Sequence, residues 1–221
     1  MEFLKINIGI MRVDQEIYQL KVTMKESKPP IWRRFQVPND TTLHRLHLIL
    51  QSVVGWTNSH LYRFDIEGIQ YSVPDPEDDF NELHFVDSRR TRLSKVVSHE
   101  KARFTYEYDF GDSWEHQILV EKILPSESGT QYPVCLAGKR ACPPEDCGGI
   151  WGYDELLEII RDPTHEEYER MTEWLGESFD PEQFDIDQVN RSLRRFRQSS
   201  KSKRPDVPEA FRQAFESEDK S

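Results

Sequence analysis

This 221-residue sequence lacks features that would assign it to a secreted or membrane class. It has no apolar run approaching the roughly 18 residues that cross a bilayer. Its opening segment is too charged and its apolar stretch too short for a secretory signal. Three cysteines are an odd number, which argues against the disulfide framework of a secreted domain. These absences predict a cytoplasmic protein with reduced thiols and no contact with a membrane.

Sequence motifs of the commonest enzyme classes are missing as well. There is no phosphate-binding P-loop, no H-E-x-x-H zinc motif and no G-x-S-x-G nucleophile motif. The tripeptide 109–111 matches the magnesium-binding D-F-G of protein kinases, but the catalytic-loop and Gly-rich motifs that accompany it there are absent. We therefore interpret this match as accidental.

The composition still supports a folded domain. Hydrophobic residues make up 36% of the chain, and the 11% of aromatic residues each bury a large area. The length suits one large domain. The formal net charge is −11, so any contact with nucleic acid has to come from a local basic patch.

The concentrated basic segment spans residues 191–204 and contains no acid. Its cations could neutralise phosphates, which makes Arg191, Arg194, Arg195 and Arg197 the candidate nucleic-acid ligands. The alternative is a solvated helix end whose cations interact favourably with the helix dipole. The global acidity favours this alternative.

Apolar periodicity predicts an α+β fold. Alternation predicts strands at 18–25 and 31–37, helical spacing predicts a helix from 43 that ends at Gly55, and 61–66 with 69–73 predict a hairpin. This order resembles a β-grasp opening of strand, strand, helix, strand, strand. Three helices, at 153–161, from Thr164 to Gly176 and after Asp180, predict a C-terminal helical layer. We assign 1–17 to an N-terminal extension, 18–196 to a single domain and 197–221 to a polar linker and tail.

A long hairpin is predicted between residues 103 and 121, where apolar and polar residues alternate on both sides of a Gly-Asp-Ser sequence. A three-residue loop keeps both apolar rows on one face. It pairs Phe110 with Trp114 and Tyr108 with His116, and it turns His116 to the buried side.

Residues 132–153 hold all three cysteines together with prolines and glycines, a mixture that predicts neither helix nor strand. Zinc is the candidate cofactor, with Cys135, Cys142, Cys147 and His116 as ligands. The C-x6-C-x4-C spacing is looser than in most structural zinc sites, so small buried thiols are the alternative. A catalytic pair of His116 with a cysteine is a further option.

The adjacent acids Glu145 and Asp146 follow two prolines in the same segment. Adjacent carboxylates can ligate a hard cation or act as a general base, so His116, Glu145 and Asp146 are the candidate catalytic residues. Equally, either acid can accept backbone N–H bonds and hold the loop together. A second acidic set surrounds the hairpin tip and is interpreted as a solvated face, with a cation site shared with Glu145 and Asp146 as the alternative: Glu107, Asp109, Asp112 and Glu115.

Four segments, read in order, carry a family resemblance: YQLKVTMKESKPPIWRRFQVP, VVGWTNSHLYRF, YEYDFGDSWEHQILVEKIL and YPVCLAGKRACPPEDCGGIWGYDELLEIIRDPTHEEY. Over residues 18–196 the chain resembles the plasmid pRiA4b ORF-3-like family, also labelled insertion-element passenger proteins of the TnpR type. The resemblance implies an α+β domain without an established activity, carried on mobile elements. The signature residues that it indicates, besides His116, Cys142, Glu145 and Asp146, are Trp32, Arg33, Trp56, His60, Asp109, Gly111, Asp112, Trp114, Pro143, Pro144, Gly148, Gly149, Gly152 and Tyr153.

Three functional hypotheses follow. The preferred one is an intracellular binding or accessory protein, associated with mobile elements, that contacts nucleic acid through its basic segments. The second is a zinc-supported hydrolase-like enzyme that uses His116 and the Cys/Glu/Asp loop. The third is a structural protein-interaction module.

Overall fold

The computed structural model describes residues 15–74, 85–176 and 179–198. Nearly all of the predicted N-terminal extension and of the predicted tail lies outside these ranges. In the described part of the chain, one eight-stranded sheet has the order β5-β4-β3-β6-β7-β1-β2-β8, and five helices accompany it. The elements are β1 (Glu16–Met24), β2 (Trp32–Pro38), α1 (Leu43–Val54), β3 (Tyr62–Ile66), β4 (Ile69–Ser72), β5 (Val86–Asp87), α2 (Leu93–Val96), β6 (Arg103–Tyr108), β7 (Trp114–Pro125), β8 (Val134–Lys139), α3 (Gly149–Arg161), α4 (Tyr168–Leu175) and α5 (Ile186–Gln198).

The mixed α+β class is confirmed, whereas the β-grasp-like arrangement is not. All neighbouring strands pair antiparallel except β4 and β5, which are parallel. The predicted order of strand, strand, helix, strand, strand is present along the chain. In the sheet, however, β6 and β7 lie between the β1–β2 and β3–β4 hairpins.

One face of the sheet forms the core because apolar residues alternate along its strands. Leu20, Phe35 and Phe64 on this face are fully buried, as are Leu46 and Ile49 of α1. Residues of α3 and α5 belong to the same hydrophobic cluster. The opposite face carries polar side chains such as those of β1 and β7, which places the core and the helices on the same side of the sheet.

Local capping chemistry sets both ends of α1, which begins at residue 43 and ends at Gly55 as predicted. The Thr42 hydroxyl oxygen accepts a hydrogen bond from the Arg45 N–H at 3.2 Å, and Gly55 ends the helix with φ of 96°. The later helices begin differently from the prediction. Thr164 donates both its N–H and its hydroxyl to Asp162, so it does not cap α4, which begins at Tyr168. α5 begins at Ile186, several residues after Asp180, and the Asp185 carboxylate accepts N–H bonds from its first turn.

The predicted register of the long hairpin is wrong by two residues. Tyr106 pairs with His116 and Tyr108 pairs with Trp114, so the loop spans 109–113 instead of three residues. The loop closes on Asp109, whose carboxylate accepts the Gly111 N–H at 3.0 Å and whose carbonyl accepts the Ser113 N–H. A shift of two preserves the alternation, so the prediction that His116 is buried is confirmed.

The prediction that residues 132–153 form neither helix nor strand is also wrong. Residues 134–139 form the edge strand β8, which pairs antiparallel with β2 through a bulge, and Gly149 already belongs to α3. The irregular part is therefore the shorter segment 140–148, which we call the cysteine loop. No helix among the described residues is long and apolar enough to cross a membrane.

Candidate functional site

Three loops meet at one end of the sheet: residues 56–60 after α1, the hairpin loop 109–113, and the cysteine loop. The indole N–H of Trp56 donates to the Pro143 carbonyl at 2.9 Å. The Asp112 carboxylate accepts the Gly148 N–H at 3.2 Å. These bonds tie the cysteine loop to the two other loops.

Glu145 is the third anchor of the cysteine loop. Its carboxylate accepts the N–H and the hydroxyl of Thr57 at 2.8 and 2.6 Å, and the hydroxyl of Tyr108 at 2.6 Å. Burial raises the pKa of Tyr108 well above its usual range, and the neighbouring Glu145 carboxylate raises it further. Glu145 was a candidate catalytic residue, and its bonds to three protein donors match the alternative in which it holds the loop together.

Two glycines permit the close approach of the cysteine loop, the hairpin loop and α3. A Cβ at Gly149 would overlap the Asp112 carbonyl oxygen, and Gly149 also has φ of 68°. A Cβ at Gly152 would overlap the Cys147 carbonyl oxygen and lie 2.9 Å from the Cys147 carbonyl carbon. Both positions therefore require glycine on steric grounds.

His60, Asp109 and Asp146 form a cluster in which one potential ligand atom of each lies within 4.8 Å of the others. The His60 Nε2 atom lies 3.0 Å from an Asp146 carboxylate oxygen, and its Nδ1 atom lies 3.6 Å from an Asp109 oxygen. The side chain of Asp109 is 12% exposed and that of Asp146 is 70% exposed. One side of the cluster is thus shielded and the other faces solvent.

The His60 Nε2 atom is shielded from solvent and makes no hydrogen bond to the described residues, although it lies 3.0 Å from the Asp146 carboxylate. The backbone around the cluster is unusual as well. Asp109 and Asp146 have φ of 58° and 61°, and Asn58, two residues before His60, has φ of 63°. Asparagine and aspartate adopt this left-handed region more readily than other non-glycine residues, which suits the sharp turns of these loops.

The predicted zinc ligands are not brought together in this way. Among the described residues, the groups of three or more potential ligands within coordination distance are limited to His60, Asp109 and Asp146. Cys135, Cys142, Cys147 and His116 do not form such a group. Of the four, the cysteine loop contains two, while Cys135 lies on β8 and His116 on β7.

The three cysteines are free thiols. Burial raises the pKa of Cys135 to about 11 and that of Cys147 to about 12, and burial raises the pKa of Cys142 as well. Cys142 accepts a hydrogen bond from the Arg33 guanidinium at 3.4 Å. Protonated thiols are poor nucleophiles, so these cysteines have the surroundings of packed side chains and not those of a catalytic nucleophile.

His116 is enclosed within the core. Its Nδ1 atom lies 3.0 Å from the Trp114 carbonyl, and its ring packs edge-on against Trp56. Burial lowers the pKa of His116 to about 4, so the ring is neutral at pH 7. A side chain only 2% exposed has no direct access to a substrate.

The candidate nucleic-acid arginines largely attach α5 to the rest of the protein. Arg195 donates to the Ser52 hydroxyl at 2.6 Å, and Arg197 donates to the Pro133 carbonyl at 2.9 Å. Arg191 lies 3.5 Å from the Asp185 carboxylate. Arg194 is exposed on the same helix.

Several other signature residues do not belong to the cluster of His60, Asp109 and Asp146 and pack against other parts of the fold. Arg33 is buried and donates to the Val53 and Lys139 carbonyls, which fixes β2 to α1 and β8. Trp32 lies on the open face of the sheet beneath the Lys21 ammonium, 4.8 Å away. Trp114 and Tyr153 are buried in the core. Pro144 borders a cavity of about 310 Å³ beside α4.

Sequence reasoning missed His60 as a potential ligand and treated it only as a signature residue, whereas it included Asp109 with Asp146 among the acids of a possible cation site. His60 and Asp109 are each a single polar residue in a loop far from the other along the chain. No motif spacing joins them, so the fold alone brings them together.

Comparisons with known proteins agree with the resemblance. Residues 16–188 match the family model described as plasmid pRiA4b ORF-3-like protein. The chain is 41% identical over 179 residues to the uncharacterized protein y4hQ of Sinorhizobium fredii, covering 80% of this chain and 90% of that one. It is also similar to the crystal structure of MM3350, a protein of unknown function from Methanosarcina mazei Go1. That match has a TM-score of 0.71 and 40% identity, and it covers 79% of this chain and 98% of that one.

Proposed function

The chain belongs to the plasmid pRiA4b ORF-3-like protein family, and we propose that it is a metal-dependent enzyme of the hydrolytic type whose cation is held by His60, Asp109 and Asp146. The observation that carries the proposal is the convergence of these three side chains from three separate loops. The proposal takes up the second hypothesis from the sequence, a metal-supported enzyme, and assigns the cation to this cluster instead of to the cysteines.

The donor set selects the kind of cation. One imidazole nitrogen and two carboxylate oxygens suit a divalent first-row metal such as Zn²⁺ or Mn²⁺. Catalytic sites of this type use three protein ligands and keep a position for water or substrate. The exposed side of Asp146 leaves room for such a position.

The surroundings support a rigid site. Trp56, Asp112 and Glu145 fix the loops that carry the three ligands. A cation held there would lower the pKa of a bound water and polarise a substrate carbonyl or ester. The shielded Asp109 carboxylate, which accepts two N–H bonds of its own loop, is held in place before any cation arrives.

The test is cation binding by tag-free protein, measured by isothermal titration calorimetry with Zn²⁺, Mn²⁺ and Mg²⁺. We expect one site per chain that prefers Zn²⁺ or Mn²⁺ to Mg²⁺. Asp146→Asn should weaken binding at least tenfold. Because the Asp146 side chain is mostly exposed, the free energy of unfolding of this variant should lie within about 1 kcal/mol of the wild-type value.

Cys142→Ser is the matched control for the original zinc hypothesis. If the cation sits at His60, Asp109 and Asp146, this variant keeps full affinity. Loss of binding in Cys142→Ser with unchanged binding in Asp146→Asn would overturn the proposed site in favour of the cysteines. Absence of a stoichiometric site in the wild type would overturn the metal proposal altogether.

Contact with nucleic acid and association with mobile elements stay hypotheses of lower rank. Arg195 and Arg197 donate hydrogen bonds to other parts of this protein. In addition, the net charge of −11 repels the polyanionic backbone of a nucleic acid. Salt-dependent binding of DNA that falls when Arg194 is neutralised would raise this hypothesis above the metal site. The cytoplasmic location and the role as an interaction module are likewise expectations from the sequence.

A further inference from the structure

A cavity of about 420 Å³ lies between α3 and α4 and opens beside the proposed cation site. Asp146 belongs both to the cation cluster and to the lining of this cavity. Its volume is in the range of pockets that hold small molecules. From this shared residue we infer that the cavity binds the apolar group of a neutral or cationic small-molecule substrate. The inference rests on the proposed function.

Part of the cavity lining is apolar. Leu156 and Ile159 of α3 are buried beneath it, and Met171 and Trp174 of α4 line the opposite side. Trp174 is 48% exposed, which leaves much of its indole surface for a ligand. A substrate with an aromatic or branched aliphatic group beside its reactive oxygen would bury that group here while the oxygen reaches the cation.

The charged residues of the cavity determine which substrates it excludes. Asp146, Glu155 and Glu167 contribute three negative charges and Arg170 one positive charge. The Arg170 guanidinium already lies 2.6 Å from the Glu167 carboxylate. A divalent cation offsets Asp109 and Asp146, and the rim then keeps a net negative charge from Glu155. Anionic substrates, nucleic acid included, are therefore disfavoured.

Hydroxamates test this inference because they chelate divalent metals through two oxygens and differ only in the attached group. We would measure the affinity of Zn²⁺-loaded protein for acetohydroxamate, benzohydroxamate and 4-carboxybenzohydroxamate. Benzohydroxamate should bind at least about tenfold more tightly than acetohydroxamate, since most of a phenyl ring becomes buried. The added carboxylate should weaken binding again.

Two tryptophans on neighbouring helices supply a matched pair of variants. Trp174→Ala should reduce the preference for the phenyl group at least threefold without changing the affinity for Zn²⁺ or acetohydroxamate. Trp151→Ala, which removes a tryptophan that is 79% exposed and does not line the cavity, should keep the full preference.

The outcomes separate this inference from the proposed function. If Zn²⁺ binds and the two uncharged hydroxamates bind equally, the cavity does not serve the site and the inference is overturned while the cation site stands. Tighter binding of the carboxylated probe would overturn the assignment of a neutral or cationic substrate. If no Zn²⁺ binds, the inference and the proposed function fall together.

Discussion

Replacing Gly152 by alanine tests whether the packing of α3 against the cysteine loop holds Asp146 in place. Gly152 lies in the first turn of α3, where its N–H donates to the Gly148 carbonyl. Its φ is not in the left-handed region, so backbone strain does not enter. Helix propensity alone predicts that alanine stabilises this turn by about 1 kcal/mol.

The structure predicts the opposite sign. The added Cβ would overlap the carbonyl oxygen of Cys147 and lie 2.9 Å from its carbonyl carbon. These are backbone atoms that cannot rotate away, so the loop or the helix has to shift. Overpacking of this kind lowers the free energy of unfolding by about 1–3 kcal/mol or more. After the gain from helix propensity is subtracted, we expect the free energy of unfolding to fall by about 2 kcal/mol. For a chain of this size that corresponds to a fall in Tm of about 4–8 °C.

The assay is thermal and urea unfolding followed by circular dichroism, with Zn²⁺ titration in parallel. Because Cys147 follows Asp146 directly, a shift of its carbonyl should also lower the cation affinity about tenfold. Gly68→Ala is the control, since nothing lies within 4 Å of its Cβ and only its φ of 80° opposes alanine. Gly68→Ala should lower the free energy of unfolding by about 1 kcal/mol and leave the cation affinity unchanged. A Gly152→Ala protein with a Tm at or above that of the wild type would refute this reasoning.

Three further predictions follow from the loop anchors and the shifted pKa values. Glu145→Gln replaces the carboxylate that accepts three hydrogen bonds by a neutral amide. It should lower the free energy of unfolding by about 1–3 kcal/mol in urea titrations. An unchanged free energy of unfolding would contradict the anchoring role of Glu145. Iodoacetamide should alkylate Cys147 at pH 8 at least tenfold more slowly in folded than in unfolded protein, because burial raises the pKa of the Cys147 thiol to about 12. Equal alkylation rates, measured by peptide mass spectrometry, would contradict this prediction. The pKa values of His47 and His116 are lowered by burial to about 3 and about 4, so the unfolded state binds more protons below pH 6.5. The contribution of these neutral rings to the free energy of unfolding should therefore be complete above pH 6.5. It should fall as the pH drops toward 4, by up to about 1.4 kcal/mol per pH unit for each histidine. A free energy of unfolding that stays constant between pH 6.5 and 4 would show that these rings are not buried in their neutral form.

The parts of the fold that depend on local signals could be predicted from the sequence. Alternating apolar residues located β1 and β2, the predicted hairpin located β3 and β4, and helical spacing that ends at Gly55 located α1 with its C-cap. The burial of His116 also followed from alternation, although the register did not. In each case the information lies within a few neighbouring residues.

The parts that depend on distant partners could not be predicted. β8 is a strand because β2 offers it an edge, and its composition gives no sign of this. The hairpin loop is longer than predicted because Asp109 binds the backbone of its own loop. The cluster of His60, Asp109 and Asp146 arises only when three loops meet, which no spacing along the chain encodes.

The adjacent acids Glu145 and Asp146 left two alternatives open in the sequence, a hold on the loop or a ligand for a cation. Their surroundings divide these roles between them. Glu145 points at Thr57 and Tyr108 and satisfies three donors, while Asp146, at φ of 61°, lies beside His60 with most of its side chain exposed. Aspartate is one of the few non-glycine residues that adopt the left-handed region readily, so this conformation is compatible with the residue type. Such a conformation is maintained because Glu145, Trp56 and Asp112 fix the loop on either side of it. The anchor at Glu145 thus holds the Asp146 carboxylate beside His60, where it can serve the proposed cation.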